Sequence, residues 1–137
     1  MTSDSTLAFA IDGSARISGR FTLRSGAVAT EYFDKYRFES DPGLLSRVAA
    51  ALGPLVPAGT ELLAGLELGG VPIATALSLH TGIPAVFVRK EAKRYGTERL
   101  AEGADIDGRQ LLVVEDVVTS GGQIAMSVGD LRERGLR

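Results

Sequence analysis

A short apolar run that ends in two carboxylates, then in a turn of small residues, constrains this chain more than any other feature. Leu111, Leu112, Val113 and Val114 are continuously apolar, the pattern of a strand buried on both faces of a parallel sheet. Glu115 and Asp116 follow at once. Thr119, Ser120, Gly121 and Gly122 then open a stretch in which Ile124, Ala125, Val128 and Leu131 recur at helical spacing. A strand, a small-residue turn and a helix start make an anion cradle, because unpaired backbone N–H groups and the positive end of the helix dipole face the turn. Acidic residues beside such a cradle suit a ligand that carries hydroxyls or a metal as well as phosphate. A sugar phosphate meets both demands. On the residues alone an ordinary strand end with a helix cap stays open as the alternative. The Walker pattern and the dinucleotide glycine fingerprint are both absent.

The rest of the chain alternates strand and helix. Residues 7–15 read as a weak amphipathic helix. Two short antiparallel strands are expected around Ser25-Gly26, one over 21–24 and the other over 30–38 with Tyr32, Phe33, Tyr36 and Phe38. Asp41 and Pro42 open a clear helix that carries Leu44, Leu45, Val48, Ala49 and Leu52 and stops at Gly53. Residues 61–66 form a short strand, followed by a helix with Ile73, Ala74, Leu77 and Ser78 that ends near Gly82. Residues 85–88 are a second buried strand, and 89–103 are charged and poorly periodic. The lone His80, near a helix end, reads as structural.

From residue 42 onward this order predicts an α/β fold with a parallel sheet. Ligands of such sheets bind beyond the carboxyl ends of the strands. The loops there are 65–70, 89–103 and 115–122, and each carries glycine, charge or both.

The loop at 89–97 holds Arg89, Lys90, Lys93 and Arg94. A charge run is most often a solvated surface, but this one directly follows a buried strand on the ligand side. Mobile loops that bring Lys and Arg onto a polyphosphate stabilise charge growing on a leaving group.

Residues 113–122 resemble the phosphoribosyl-pyrophosphate signature of the type I phosphoribosyltransferases. Arg-Lys-Glu-Ala-Lys at 89–93, with Gly96 and the Arg-Leu-Ala-Glu-Gly stretch at 99–103, resembles the catalytic loop of orotate phosphoribosyltransferases. Residues 19–26, 32–34 and 65–72 extend the likeness from about residue 7 to the end of the chain. The resemblance implies an α/β, parallel-sheet phosphoribosyltransferase fold in one domain, with a small N-terminal hood over about 1–40 and a core over about 41–137. It implies transfer of 5-phosphoribosyl from phosphoribosyl pyrophosphate to orotate, giving orotidine 5′-phosphate and pyrophosphate in pyrimidine biosynthesis.

The same resemblance assigns roles. Arg89, Lys90 and Lys93 would contact the donor's pyrophosphate, with Tyr95 beside them. Glu115 and Asp116 would hold the ribose hydroxyls. Thr119, Ser120, Gly121 and Gly122 would hold the 5′-phosphate, with Thr119 also reaching orotate. Arg24, Tyr32 and Phe33 belong to the hood over the base, and Lys93 and Asp116 are the catalytic residues. Mg2+ would bridge pyrophosphate and ribose oxygens, with no direct protein cage. The loop would close over a neighbouring subunit's site, which implies a homodimer.

Two departures stand out. Tyr95 occupies the place where the family commonly has His, and it is neutral near pH 7. The family also continues past the final helix, here ending at Gly135, into a strand bearing an arginine for the orotate carboxylate, so a C-terminally incomplete sheet is expected.

Composition narrows the alternatives. The chain has 137 residues, a formal charge of −2 and no cysteine, so disulfides and thiolate metal sites are excluded and no pull toward nucleic acid or anionic membrane is expected. No secretory signal or membrane span is read, and a cytoplasmic location is expected. The rival functions are transfer to another base, or a non-catalytic module that binds phosphoribosyl pyrophosphate as a regulatory signal. The basic loop argues against both.

Overall fold

Residues 3–134 are described in the computed structural model of the protein. The expected helix end at Gly135 and the final Leu136-Arg137 lie outside the described residues. The chain divides into two units, residues 1–48 and 49–137.

In the first unit, α1 (Ser3–Ala15) runs directly into β1 (Arg16–Thr22), which pairs antiparallel with β2 (Val28–Phe33). Arg16 sits at the junction and ties it together. Its guanidinium reaches Asp12 of the helix at 2.8 Å and Glu31 of β2 at 3.2 Å. All three side chains are about half exposed, so the pairs set direction more than stability. The ladder slips at Gly19 and Arg20, which together face one residue of β2, a β-bulge.

The hairpin differs from expectation in two ways. Its first strand starts at Arg16 rather than near Phe21, and Arg24 lies in the turn. Its second strand stops at Phe33, because residues 35–39 form the short helix α2 (Lys35–Glu39). The aromatic, strand-favouring composition there yields to burial: Phe38 is 5% exposed and stacks obliquely on Phe33 at 6.4 Å. Next comes α3 (Pro42–Leu52). Its start is as read from the sequence: the Asp41 carboxylate accepts from the Leu44 N–H at 3.0 Å, and Pro42 takes the first helical position.

In the second unit, a 3₁₀ turn (Gly53–Leu55) leads to β3 (Leu62–Leu66), α4 (Gly70–Thr81), β4 (Ala85–Val88), β5 (Ala101–Glu102), β6 (Leu111–Val114) and α5 (Gly122–Glu133). The sheet order is β5-β4-β3-β6. β4 and β6 both run parallel to β3, and β5 is antiparallel to β4. The central strand β3 is buried at every position. β6, expected to be buried on both faces, pairs only with β3 among the described residues, and Val114 is its one buried residue. Leu111 and Val113 pack against the cluster that holds Leu131, and Leu112 is half-buried.

Side chains alternate across the sheet. Leu62, Ala64 and Leu66 of β3 join Val86, Val88 and Leu131 of α5 in one cluster. The intervening Gly65 faces α4 instead, where an added Cβ would stand 2.6 Å from the Gly70 carbonyl and 2.9 Å from Ala74. The sheet is thus sandwiched between α4 and α5. Gly82, with φ near 80°, closes α4 in the left-handed cap the sequence suggests. His80 lies in that last turn against Gly53, whose Cβ would fall 2.9 Å from the imidazole, in keeping with a structural role.

Candidate active site

Strand order places the site. β3 feeds α4 and then β4 on one side of itself, whereas β6 lies on its other side and feeds α5 on the opposite face. The connections therefore diverge between the carboxyl ends of β3 and β6, the position where open α/β sheets bind ligands. Loops 67–69, 89–100 and 115–121 all leave the sheet at this edge.

Side chains and backbone join the three loops. Gly69 and Gly70 form the first turn of the approach to α4. A Cβ on Gly70 would strike the Val114 carbonyl, and one on Gly69 would strike the carboxylate of Asp116. Glycine is required at residue 70, where the obstacle is backbone, while a side chain at residue 69 would have to displace the Asp116 carboxylate. On the other side, the Glu67 carboxylate accepts from the backbone N–H of Lys90. The peptide bond between Glu67 and Leu68 is cis.

The cradle forms as the sequence suggests. Glu115 accepts from the Asp116 N–H at 3.0 Å, and Asp116 accepts from the Val117 N–H at 2.9 Å. Gly121, with φ near 79°, turns the chain into α5 and as its N-cap brings no capping side chain. The Ser120 hydroxyl accepts from the Gly122 N–H at 3.3 Å. Around this turn is a cavity of about 130 Å³ lined by Glu115, Thr119, Ser120, Gly121 and Gly122 among others. The N-terminus of a twelve-residue helix, with its first-turn N–H groups directed at the turn, makes it suited to a phosphate or a similar anion.

The basic loop is closed at its neck and open at its tip. The Arg89 N–H donates to the Leu100 carbonyl at 2.8 Å, and Lys93 N–H to the Arg99 carbonyl at 3.3 Å. Past this neck, β5 pairs Glu102 opposite Phe87. Both Arg89 Nε and Lys93 Nζ then approach one oxygen of Glu102, at 3.5 and 3.3 Å. Lys93 holds the Glu102 carboxyl below its usual range, burial opposes this, and Arg89 adds to the lowering. Lys93 also stands 5.3 Å from the ring of Tyr95, which is 72% exposed.

Arg24, Tyr32 and Phe33 belong to the other unit. Arg24 is in the hairpin turn, where Leu23 and Ala27 close the loop and Gly26 has φ near 87°. Tyr32 and Phe33 end β2 with exposures of 46% and 40%, and Tyr32 packs on Phe21 at 5.5 Å. Among the described residues no group of three or more carboxylate or imidazole side chains gathers to hold a metal ion. No described helix is long and apolar enough to cross a membrane.

Sequence reasoning missed two residues here, Glu67 and Glu102. Glu67 sat inside a recognised glycine-rich loop but carried no separate signal. Glu102 acquires its place only through β5, a two-residue strand too short to show any periodicity.

Residues 56–136 match the phosphoribosyl transferase domain. An orotate phosphoribosyltransferase from Nocardioides sp. (strain ATCC BAA-499 / JS614) is 58% identical over 135 residues, 98% of this chain and 75% of that relative. The crystal structure of orotate phosphoribosyltransferase from Mycobacterium tuberculosis H37Rv, in complex with Fe(III) dicitrate, superimposes with a TM-score of 0.84 at 32% identity, covering 97% of this chain and 78% of that one. A second structure of the Mycobacterium tuberculosis H37Rv enzyme, in complex with 5-phospho-alpha-D-ribosyl 1-diphosphate, superimposes with a TM-score of 0.78 at 28% identity over 97% of this chain and 76% of that one.

Proposed function

The chain belongs to the orotate phosphoribosyltransferases of the phosphoribosyl transferase domain family, and from that premise we propose how its residues divide the work of transfer from phosphoribosyl pyrophosphate to orotate. The 5′-phosphate enters the turn at Thr119, Ser120, Gly121 and Gly122. Glu115 and Asp116 accept hydrogen bonds from the ribose hydroxyls. Arg89, Lys90 and Lys93 meet the pyrophosphate, and Arg24, Tyr32 and Phe33 serve the hood over the base. The observation that carries this reading is the joining of a carboxylate pair to a helix start with glycine at its N-cap, with the glycine loop packed directly on Asp116.

In the reaction the ring nitrogen of orotate gives up its proton to solvent and bonds to the anomeric carbon as the bond to pyrophosphate breaks and the pair of electrons leaves with pyrophosphate. Positive charge develops on the ribose and negative charge on the departing pyrophosphate. Carboxylates near the ribose and cations near pyrophosphate match that separation, so catalysis consists of orientation and charge complementarity. The carboxylates of Glu115 and Asp116 beside the cradle fit a Mg2+ that would be held mainly by ligand oxygens, since this ion characteristically uses one or two carboxylates plus phosphates. When bound, it would supply neutralisation of phosphate charge. A homodimer with the basic loop shared between subunits, and a cytoplasmic location, complete the proposal.

Asp116→Asn tests the donor site. A hydroxyl hydrogen bond to a carboxylate contributes roughly 1.5–3 kcal/mol, so donor affinity should fall about ten- to a hundredfold while orotate affinity changes little. Calorimetric titration with phosphoribosyl pyrophosphate reads this directly. Unchanged donor affinity in a folded variant would remove Asp116 from the ribose site.

A further inference from the structure

Arg89 and Lys93 converge on a carboxylate that their own segment does not supply. Glu91 lies between them in sequence, yet the group they approach is Glu102, beyond the far side of the loop. Strand register explains it. Glu102 faces Phe87 across the β4–β5 ladder, and Arg89, two residues past Phe87, falls on the same face as a diagonal neighbour. Lys93 returns to the same oxygen because its backbone is tied to Arg99 at the neck. At 3.3 and 3.5 Å these are loose coulombic contacts, and among the described residues no aligned hydrogen bond reaches that Glu102 oxygen.

We propose that Glu102 is an internal anion that occupies Arg89 and Lys93 until pyrophosphate displaces it, and so tunes the loop's affinity for pyrophosphate without touching substrate. The proposal rests on the assignment of these two cations to pyrophosphate. Exchange needs only side-chain motion, because the Arg89 N–H stays bonded to Leu100 and the neck stays closed. Pyrophosphate carries more charge and more acceptor oxygens than one carboxylate, so it wins the competition when bound. Glu102 also keeps the two cations from repelling each other in the empty loop and lowers the charge that the departing product must leave behind. Glu102 is thus a positioning residue whose removal has an unusual sign: a brace would weaken anion binding when lost, whereas a competitor strengthens it.

Titration of inorganic pyrophosphate with Mg2+ into the full chain tests this. Glu102→Gln keeps the shape and removes the charge, and it should bind pyrophosphate about two- to fivefold more tightly, the scale expected from loss of partly exposed ion pairs. Glu102→Asp keeps the charge and should restore most of the wild-type affinity. Weaker or unchanged pyrophosphate binding in Glu102→Gln, with an unaltered melting temperature, would overturn the exchange and leave the donor-site assignment standing. A wild-type chain indifferent to pyrophosphate would overturn both together. A second measurement needs no variant. Saturating pyrophosphate should raise the pH at which the wild-type Glu102 carboxyl titrates by NMR, because its cations have left, and an unmoved titration would overturn the exchange.

Discussion

The carboxylate of Asp116 rests directly on the backbone of Gly69, so that no side chain can be placed at residue 69 without moving it. This contact links the loop after β3 to the carboxylate pair after β6 across the point where the sheet's connections diverge. It gives Asp116 a fixed wall to lie against, which is what a group needs if it is to orient a flexible sugar.

Gly69→Ala should therefore act as an indirect disruption of Asp116. Moving a carboxylate away from a hydroxyl partner forfeits the same interaction as neutralising it, so donor affinity should fall about tenfold or more. Orotate binding and the far-ultraviolet circular dichroism spectrum should change little. Donor affinity equal to wild type would show that the 67–69 loop yields instead of Asp116.

The helix at Asp41-Pro42, the strands at 62–66 and 85–88 and the cradle after Val114 were all legible in the sequence. Each is written in local chemistry: a capping carboxylate, an apolar run, a pair of glycines at a turn. What was not legible depends on partners distant in sequence. The helix at Lys35–Glu39 forms where aromatic residues suggest strand, because burial of Phe38 decides it. The partial burial of β6 follows from its neighbours, which its own four residues do not encode. Glu102 is one charge among many until a two-residue antiparallel pairing sets it under Arg89 and Lys93.

Glu102 should titrate below the ordinary value of 4.5 in the folded chain, with Lys93 as the first cause. A carboxyl lowered on folding contributes stability that is fully present above its unfolded pKa and is lost as pH falls through the folded one. At neutral pH the contact with Lys93 and Arg89 is intact, and acid releases it only below about the normal carboxylate range. Lys93→Ala should raise the Glu102 midpoint, as followed by carboxyl carbon NMR. A midpoint that does not move would mean that Lys93 spends little time on Glu102 in solution.

Not every glycine carries the burden of Gly69. Gly129 lies within α5, and a Cβ there would meet nothing within 4 Å. Its effect is mainly to leave the unfolded chain more freedom, so Gly129→Ala should stabilise the protein by about 0.5–1 kcal/mol. Urea denaturation followed by circular dichroism checks this, with the midpoint rising and the slope constant. At Leu63, which is fully buried in β3, truncation to Ala should cost about 2–5 kcal/mol in the same assay.

Lys93→Ala separates binding from chemistry. If Lys93 meets charge that grows on pyrophosphate as the bond breaks, its loss removes an interaction stronger in the transition state than in the bound donor. The turnover number should then fall by a larger factor than the donor KM rises. A rise in KM alone would make Lys93 a binding group only. The shared-loop proposal adds a second expectation. Neither Lys93→Ala nor Asp116→Asn homodimers would hold an intact site. A mixed dimer would hold one site with both lesions and one with neither, provided the loop acts on the neighbouring subunit. Mixing the two variants should restore up to about a quarter of wild-type activity, because random pairing makes half the dimers mixed and each has one good site of two. Isolated mixed dimers with no activity would confine each loop to its own subunit, while the KM and turnover data would still decide what Lys93 does there.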